Sequence, residues 1–179
     1  MRVENSITRL LGASALSLGL CVGTAGMALA MGSSQPDTPT CPRGQVYNSS
    51  TKQCQAQQAG VLPDPELADY AHVLAKAGRY DEALEVLNLM KNPNTAEGLN
   101  YRGYATRHLG RLDEGIGYYL QSVRLDPKYA MVREYLGEAY VIKGDMAKAK
   151  EQLAVIQTIC GTKCEEYEDL AEAIEQKKS

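Results

Sequence analysis

"GRYDEALEVL" occupies residues 78–87, and the same figure returns as "GRLDEGIGYY" at 110–119 and, more loosely, as "GDMAKAKEQL" at 144–153. The steps from Gly78 to Gly110 and from Gly110 to Gly144 are 32 and 34 residues. A motif returning at a near-constant period marks a stack of supersecondary units, each too small to bury its own apolar face and each covered by its neighbours. In every unit two apolar-periodic segments flank the glycine, where one helix ends and glycine adopts the left-handed conformation. The pattern predicts helices at 64–77, 80–91, 95–109, 112–125, 128–143, 146–159 and 164–177, and no strands.

Helix starts are signalled independently of the repeat. Asp64-Pro65 places an N-cap acceptor before a proline whose missing N–H costs nothing in the first turn. Asp126-Pro127 repeats that dipeptide, and Asn94 with Glu97 resembles a capping box. The seventh helix has no partner. Tyr167, Leu170, Ala171 and Ile174 form one apolar stripe among Glu165, Glu166, Glu168, Asp169, Glu172 and Glu175, as expected of a helix that closes a stack with a polar outer face.

The third unit carries Leu136-Gly137-x-x-Tyr140 followed by Ala149-x3-Leu153, with Arg133 where the pattern W-x2-L-G-x2-Y would place tryptophan. The second offers Leu99, Gly103, Gly115, Tyr119 and Pro127 at the corresponding places, and the first Leu67, Ala71, Leu74, Ala83 and Leu87. Over residues 64–160 the chain resembles the tetratricopeptide repeat family, in its exported bacterial form. The resemblance implies an all-α, right-handed superhelix of three helical hairpins plus a C-terminal capping helix. Ala71, Gly103, Gly137, Ala83, Gly115 and Ala149 are small where helices cross, and Tyr140, Leu87, Tyr119 and Leu153 fill the spaces between. Gly115 stands where the family usually has alanine, which should weaken its helix by about 0.5–1 kcal/mol.

Residues 1–30 carry Arg2 and Arg9, no charge from Leu10 to Ala30, and the ending Ala28-Leu29-Ala30. This is read as a secretory signal peptide cleaved after Ala30, with a periplasmic destination inferred from its bacterial style. An uncleaved anchor is the competing reading, against which the Gly, Ser, Thr and Ala content argues. A lipoprotein reading of Cys21 lacks the small residue a lipobox wants, since Leu20 precedes it. Residues 31–63 are expected to form a flexible leader and a short loop closed by a disulfide between Cys41 and Cys54, and 64–179 the solenoid. Four cysteines beyond the signal fall in two close pairs, so Cys160 with Cys164 is the second expected disulfide.

The charge balance excludes one class of function. A formal net charge of −3 with no basic run gives no counterion-displacing face, so no nucleic-acid partner is expected, and no membrane span after cleavage. Enzyme chemistry finds no constellation: His72 and His108 have no nucleophile or metal-spaced carboxylate beside them, and Asp81-Glu82, Asp113-Glu114 and Glu165-Glu166 read as solvated helix starts. No cofactor is implied. One alternative stays open. Cys160 and Cys164, with three residues between them, are spaced to hold a soft metal such as Cu(I) or to serve as a thiol-redox pair, which would make the chain an accessory protein of metal handling.

What remains is the groove. By analogy with the family, the first helix of each hairpin lines a concave wall, exposing Ala68, His72, Lys76, Asn100, Tyr104, Arg107, His108, Met131, Glu134, Glu138 and Val141. The lysine, arginine and asparagine clamp with which some members grip a C-terminal carboxylate is not reproduced, since Ala68, His72, Met131 and Tyr135 stand at its places. The expectation is a non-enzymatic scaffold of the bacterial envelope. Its groove residues, His72, Lys76, Asn100, Tyr104, Arg107, His108, Met131, Glu134 and Glu138, would hold a protein or peptide segment bearing an apolar or aromatic anchor, with weak self-association through Tyr118-Tyr119.

Overall fold

The computed structural model describes residues 38–177. The expected signal segment and most of the leader lie outside the described residues. Seven helices follow one another: α1 Asp64–Lys76, α2 Tyr80–Leu87, α3 Ala96–His108, α4 Leu112–Leu125, α5 Ala130–Lys143, α6 Met146–Cys160 and α7 Glu165–Gln176. They pack as the hairpins α1/α2, α3/α4 and α5/α6, with α2 on α3, α4 on α5, and α7 on both α5 and α6. The architecture is the expected superhelix with its capping helix.

The repeated glycine supplies one device three times. Gly78, Gly110 and Gly144 have φ of 77°, 83° and 83°. The N–H of the following residue reaches back five residues, Arg79 to Leu74, Arg111 to Thr106 and Asp145 to Tyr140, at 2.9, 3.2 and 2.9 Å. Each glycine N–H donates to the carbonyl three residues earlier, which completes the Schellman motif. Carbonyls in the last turn of each first helix are thereby satisfied by the same turn in every hairpin.

The helix starts are made differently from the expectation. Asp64 is the first residue of α1 rather than its cap. Its carboxylate accepts from the N–H groups of Lys91 and Asn92, both at 2.8 Å, and so ties the segment after α2 to the start of α1. This is why α2 stops at Leu87 instead of running on to 91. Asp126 ends α4 and accepts from the N–H of Lys128, so that α5 begins at Ala130. Thr95, not Asn94, caps α3, accepting from the Gly98 N–H at 3.0 Å.

The Cys41–Cys54 loop contains a hairpin that the sequence reading did not anticipate. Strands β1 Gln45–Asn48 and β2 Gln53–Ala56 pair antiparallel, with Val46 opposite Gln55 and Tyr47 opposite Cys54. The Asn48 side chain accepts from the N–H groups of Ser50 and Thr51 and closes the turn. Cys41 and Val46 are buried against α1. The Cys41 N–H donates to the Tyr70 hydroxyl at 2.7 Å, and the Arg79 guanidinium donates to the Cys41 carbonyl at 2.7 Å. The hairpin thus covers the end of the stack that has no preceding repeat, as α7 covers the other.

Candidate partner-binding face

α1, α3 and α5 lie side by side along the inner wall, and their side chains meet more closely than a solvated groove would allow. His72 on α1 stacks on Tyr101 with ring centroids 4.4 Å apart and planes at 7°, and its Nε2 lies 3.4 Å from the Tyr135 hydroxyl on α5. α1 and α5 therefore touch across α3. Tyr104 packs between His108 at 4.4 Å and Tyr135 at 4.9 Å, and Tyr80 stacks on His108 at 4.9 Å. Beneath this aromatic layer Arg107 lies between the rings of Tyr104, Tyr119 and Tyr135, at 5.5, 6.0 and 6.0 Å, and pairs with Glu138 at 2.8 Å. Such a cation is held by ring faces and one carboxylate rather than by water.

The expectation that the groove residues are exposed is therefore corrected at several positions. Ala68, Asn100, Tyr104, Arg107, Glu134 and Val141 are buried. The curvature of the stack brings three inner helices together, so the middle of the wall is filled by the chain itself. Asn100 donates to the Tyr129 hydroxyl at 3.2 Å, and that hydroxyl donates to the Met131 sulfur. His72, Met131 and Glu138 are partly exposed, and Lys76 and His108 are open to solvent. Whether any of these residues touches a partner is a separate matter from their burial.

Burial moves the protons. His72 is pulled down to about 4, first by desolvation and then by the ammonium of Lys76. Glu134 is pushed up to about 8 by desolvation, with Glu138, Asp169 and Glu166 adding to the shift and Lys76 opposing it. Desolvation, with Arg107 second, also lowers His108. A neutral His72 and a protonated Glu134 at neutral pH leave Lys76, Glu166, exposed Asp169 and the Arg107–Glu138 pair as charged groups around the wall.

An opening does exist at one end. Arg107, His108, Glu138, Val141, Ile142 and Ala173 border a cleft of about 390 Å³ between α3, α5 and α7. Ile142 is 58% exposed, an apolar side chain of the kind a partner segment covers. The structure brings Arg107, His108, Glu138 and Val141, which the sequence reading named, to this cleft together with Ile142 and Ala173, which it did not name. The signal was present, because Ile142 and Ala173 fall outside the apolar stripes of their own helices.

The two cysteine pairs are joined as disulfides, Cys41–Cys54 and Cys160–Cys164. Among the described residues Cys160, Cys164 and Glu166 are the group whose ligand atoms lie within 4.8 Å of one another. With the sulfurs bonded to each other, neither is a thiolate, so metal binding there would first require reduction. No helix among the described residues is long and apolar enough to cross a membrane.

Comparison with known proteins agrees with this geometry. A family model described as tetratricopeptide repeat matches residues 69–130 and 109–159. A TPR repeat-containing thioredoxin of Arabidopsis thaliana, TTL4, is 27% identical over 116 residues, which is 63% of this chain and 17% of that protein's length. Among solved structures, the type III secretion translocator chaperone SycD of Yersinia enterocolitica has a TM-score of 0.53 at 20% identity, over 64% of this chain and 91% of that one. The second TPR domain of human RPAP3, solved in complex with the HSP70 peptide SGPTIEEVD, has a TM-score of 0.51 at 17% identity, over 63% and 92%. At these identities the likeness to the solved structures is one of fold.

Proposed function

The chain belongs to the tetratricopeptide repeat family, and on that premise we propose that it is a non-enzymatic scaffold that holds a segment of another protein on its inner face. The observation that carries the proposal is the cleft between α3, α5 and α7, where the self-filled wall opens and exposes Ile142 beside His108 and Ala173. A peptide complex at the RPAP3 neighbour supports the class of ligand. The proposed setting is the bacterial envelope, reached through the signal segment with cleavage after Ala30. Two disulfides in one short chain are consistent with an oxidising compartment.

The test is chemical crosslinking in envelope extract followed by capture of the chain, comparing the parent with His108→Glu/Ile142→Glu. Both residues are open to solvent, and because His108 also stacks on Tyr80 and Tyr104, thermal melting checks that the variant is folded before capture is compared. Specific capture by the parent, reduced at least fivefold in the variant, is expected. Undiminished capture would move the binding face elsewhere on the molecule.

A further inference from the structure

The capping helix α7 is held to the stack by little. Its buried side chains are Leu170 and Ile174, and Leu170 lies against α5 at Gly137, where a Cβ would run into it. Polar links join other helices of the stack: Arg107 to Glu138 from α3 to α5, Lys143 to Asp113 from α5 to α4, and Arg133 to Gln152 from α5 to α6. Among the described residues no side-chain hydrogen bond or ion pair joins α7 to another helix, and the bond from Gln176 to Glu172 stays within it. Charge opposes the docking as well, because Asp169 and Glu172 of α7 border the same cleft as Glu138 of α5. A helix of 12 residues is marginal on its own in water, so α7 depends on being docked.

The turn at its root fixes its direction. Gly161, Thr162 and Lys163 connect Cys160, the last residue of α6, to Cys164, the N-cap of α7. Gly161 has φ 84° and ψ −166°, a conformation that essentially glycine alone adopts, and Thr162 and Lys163 are open to solvent. A glycine of this kind is a pivot, and the Cys160–Cys164 bond closes a ring across it. Cys160 is exposed at the surface, where a dithiol meets the bond, whereas Cys41 of the other disulfide is buried and held by Tyr70 and Arg79.

We propose that the Cys160–Cys164 bond is a redox latch on the capping helix: oxidised, it holds α7 against α5 and α6, and reduced, it releases α7 while the hairpins stay folded. A dithiol supplies the two electrons and two protons. The S–S bond breaks, Cys160 and Cys164 become thiols, and the dithiol closes to its own disulfide. Released, α7 takes Ala173, Gln176 and Lys177 away from the cleft and uncovers α5 at Gly137. The latch stands apart from the scaffold function, and its consequence, that reduction disables capture at the cleft, rests on that function.

The test is hydrogen exchange of the purified protein, read helix by helix. The parent is titrated with dithiothreitol, its free cysteines mapped by alkylation and mass, beside Cys160→Ser/Cys164→Ser, which leaves the Cys41–Cys54 bond in place. Exchange over α7 is expected to rise by about tenfold or more as the Cys160 and Cys164 thiols appear, and to return on reoxidation. The untreated variant should exchange as fast over α7, with α3 and α4 protected as in the oxidised parent. Unchanged protection of α7 in the variant overturns the latch. Equal acceleration through α3 and α4 also overturns it, because the bond would then staple the whole fold. Capture of envelope protein by the variant at parental yield overturns the latch's control of the cleft. A parent that captures nothing while α7 exchange follows the thiols overturns the scaffold and leaves the latch standing.

Discussion

At the scale of single residues, the protonation of Glu134 and of His72 bears on stability in opposite senses. Glu134 moves from 4.5 to about 8 on folding, so between those values the native state holds a proton that the unfolded state has lost, and stability falls as pH rises through the window. His72 moves from 6.5 to about 4, so there the unfolded state binds the extra proton and stability rises with pH. The two oppose each other from 4.5 to 6.5, and above 6.5 Glu134 acts without that opposition. The melting temperature should therefore fall between pH 6.5 and 8, and Glu134→Gln should flatten that slope and stabilise the protein at pH 8 by roughly 1–4 kcal/mol, at about 1.4 kcal/mol per pKa unit discounted for partial solvation. A slope unchanged in the variant would assign the effect to other groups.

Gly115 shows why helix propensity alone misjudges a residue. A Cβ there would come within 2.9 Å of the Gly103 carbonyl oxygen and 3.0 Å of the Arg107 Cβ. The backbones of α3 and α4 approach through this pair of glycines, so the propensity gained by alanine, up to about 1 kcal/mol, is outweighed by an overpacking cost of about 1–3 kcal/mol. Gly115→Ala should lower the denaturation midpoint, and urea titration checks it. The small residues were legible as crossing points. The depth of Asn100, Tyr104, Arg107 and Glu134 was not, because amphipathic period tells which side of a helix a residue occupies and not how near the next inner helix comes.

At the scale of elements, all seven helices were legible in the 3.6-residue period and the recurrent glycine. The boundaries that moved did so for tertiary reasons: α2 is shortened because Asp64, far along the chain, takes the N–H groups of Lys91 and Asn92. The β-hairpin escaped notice because each strand is four residues long and mostly polar, too short for alternation to register. Its place is held by the disulfide and by the Tyr70 and Arg79 contacts of Cys41. Replacing Cys41 and Cys54 by serine should cost about 3 kcal/mol on the chain-entropy model. Because repeats couple mainly to their neighbours, hydrogen exchange should accelerate over 41–56 and in α1 while α5 to α7 stay protected. Uniform acceleration along the chain would show that the hairpin supports the whole stack.

At the scale of the molecule, curvature decides what the inner wall can do. His72 and Tyr135 meet although a whole repeat lies between theirs, so the centre of the wall is a core. Tyr104→Ala with Arg107→Ala, which on an exposed groove would affect binding alone, should instead destabilise the fold by several kcal/mol. It removes a buried ring and leaves Glu138 without its partner. Circular dichroism melting of the double variant checks this. The proposed binding is then left to the rim, where the cleft between α3, α5 and α7 opens. A photo-crosslinking side chain placed at Ala173, in the cleft, and separately at Leu125, exposed on the outer helix α4, tests that placement in intact cells. The proposed scaffold predicts a discrete protein adduct from Ala173 and none from Leu125. Adducts from Leu125 alone, or equally from both positions, would contradict it.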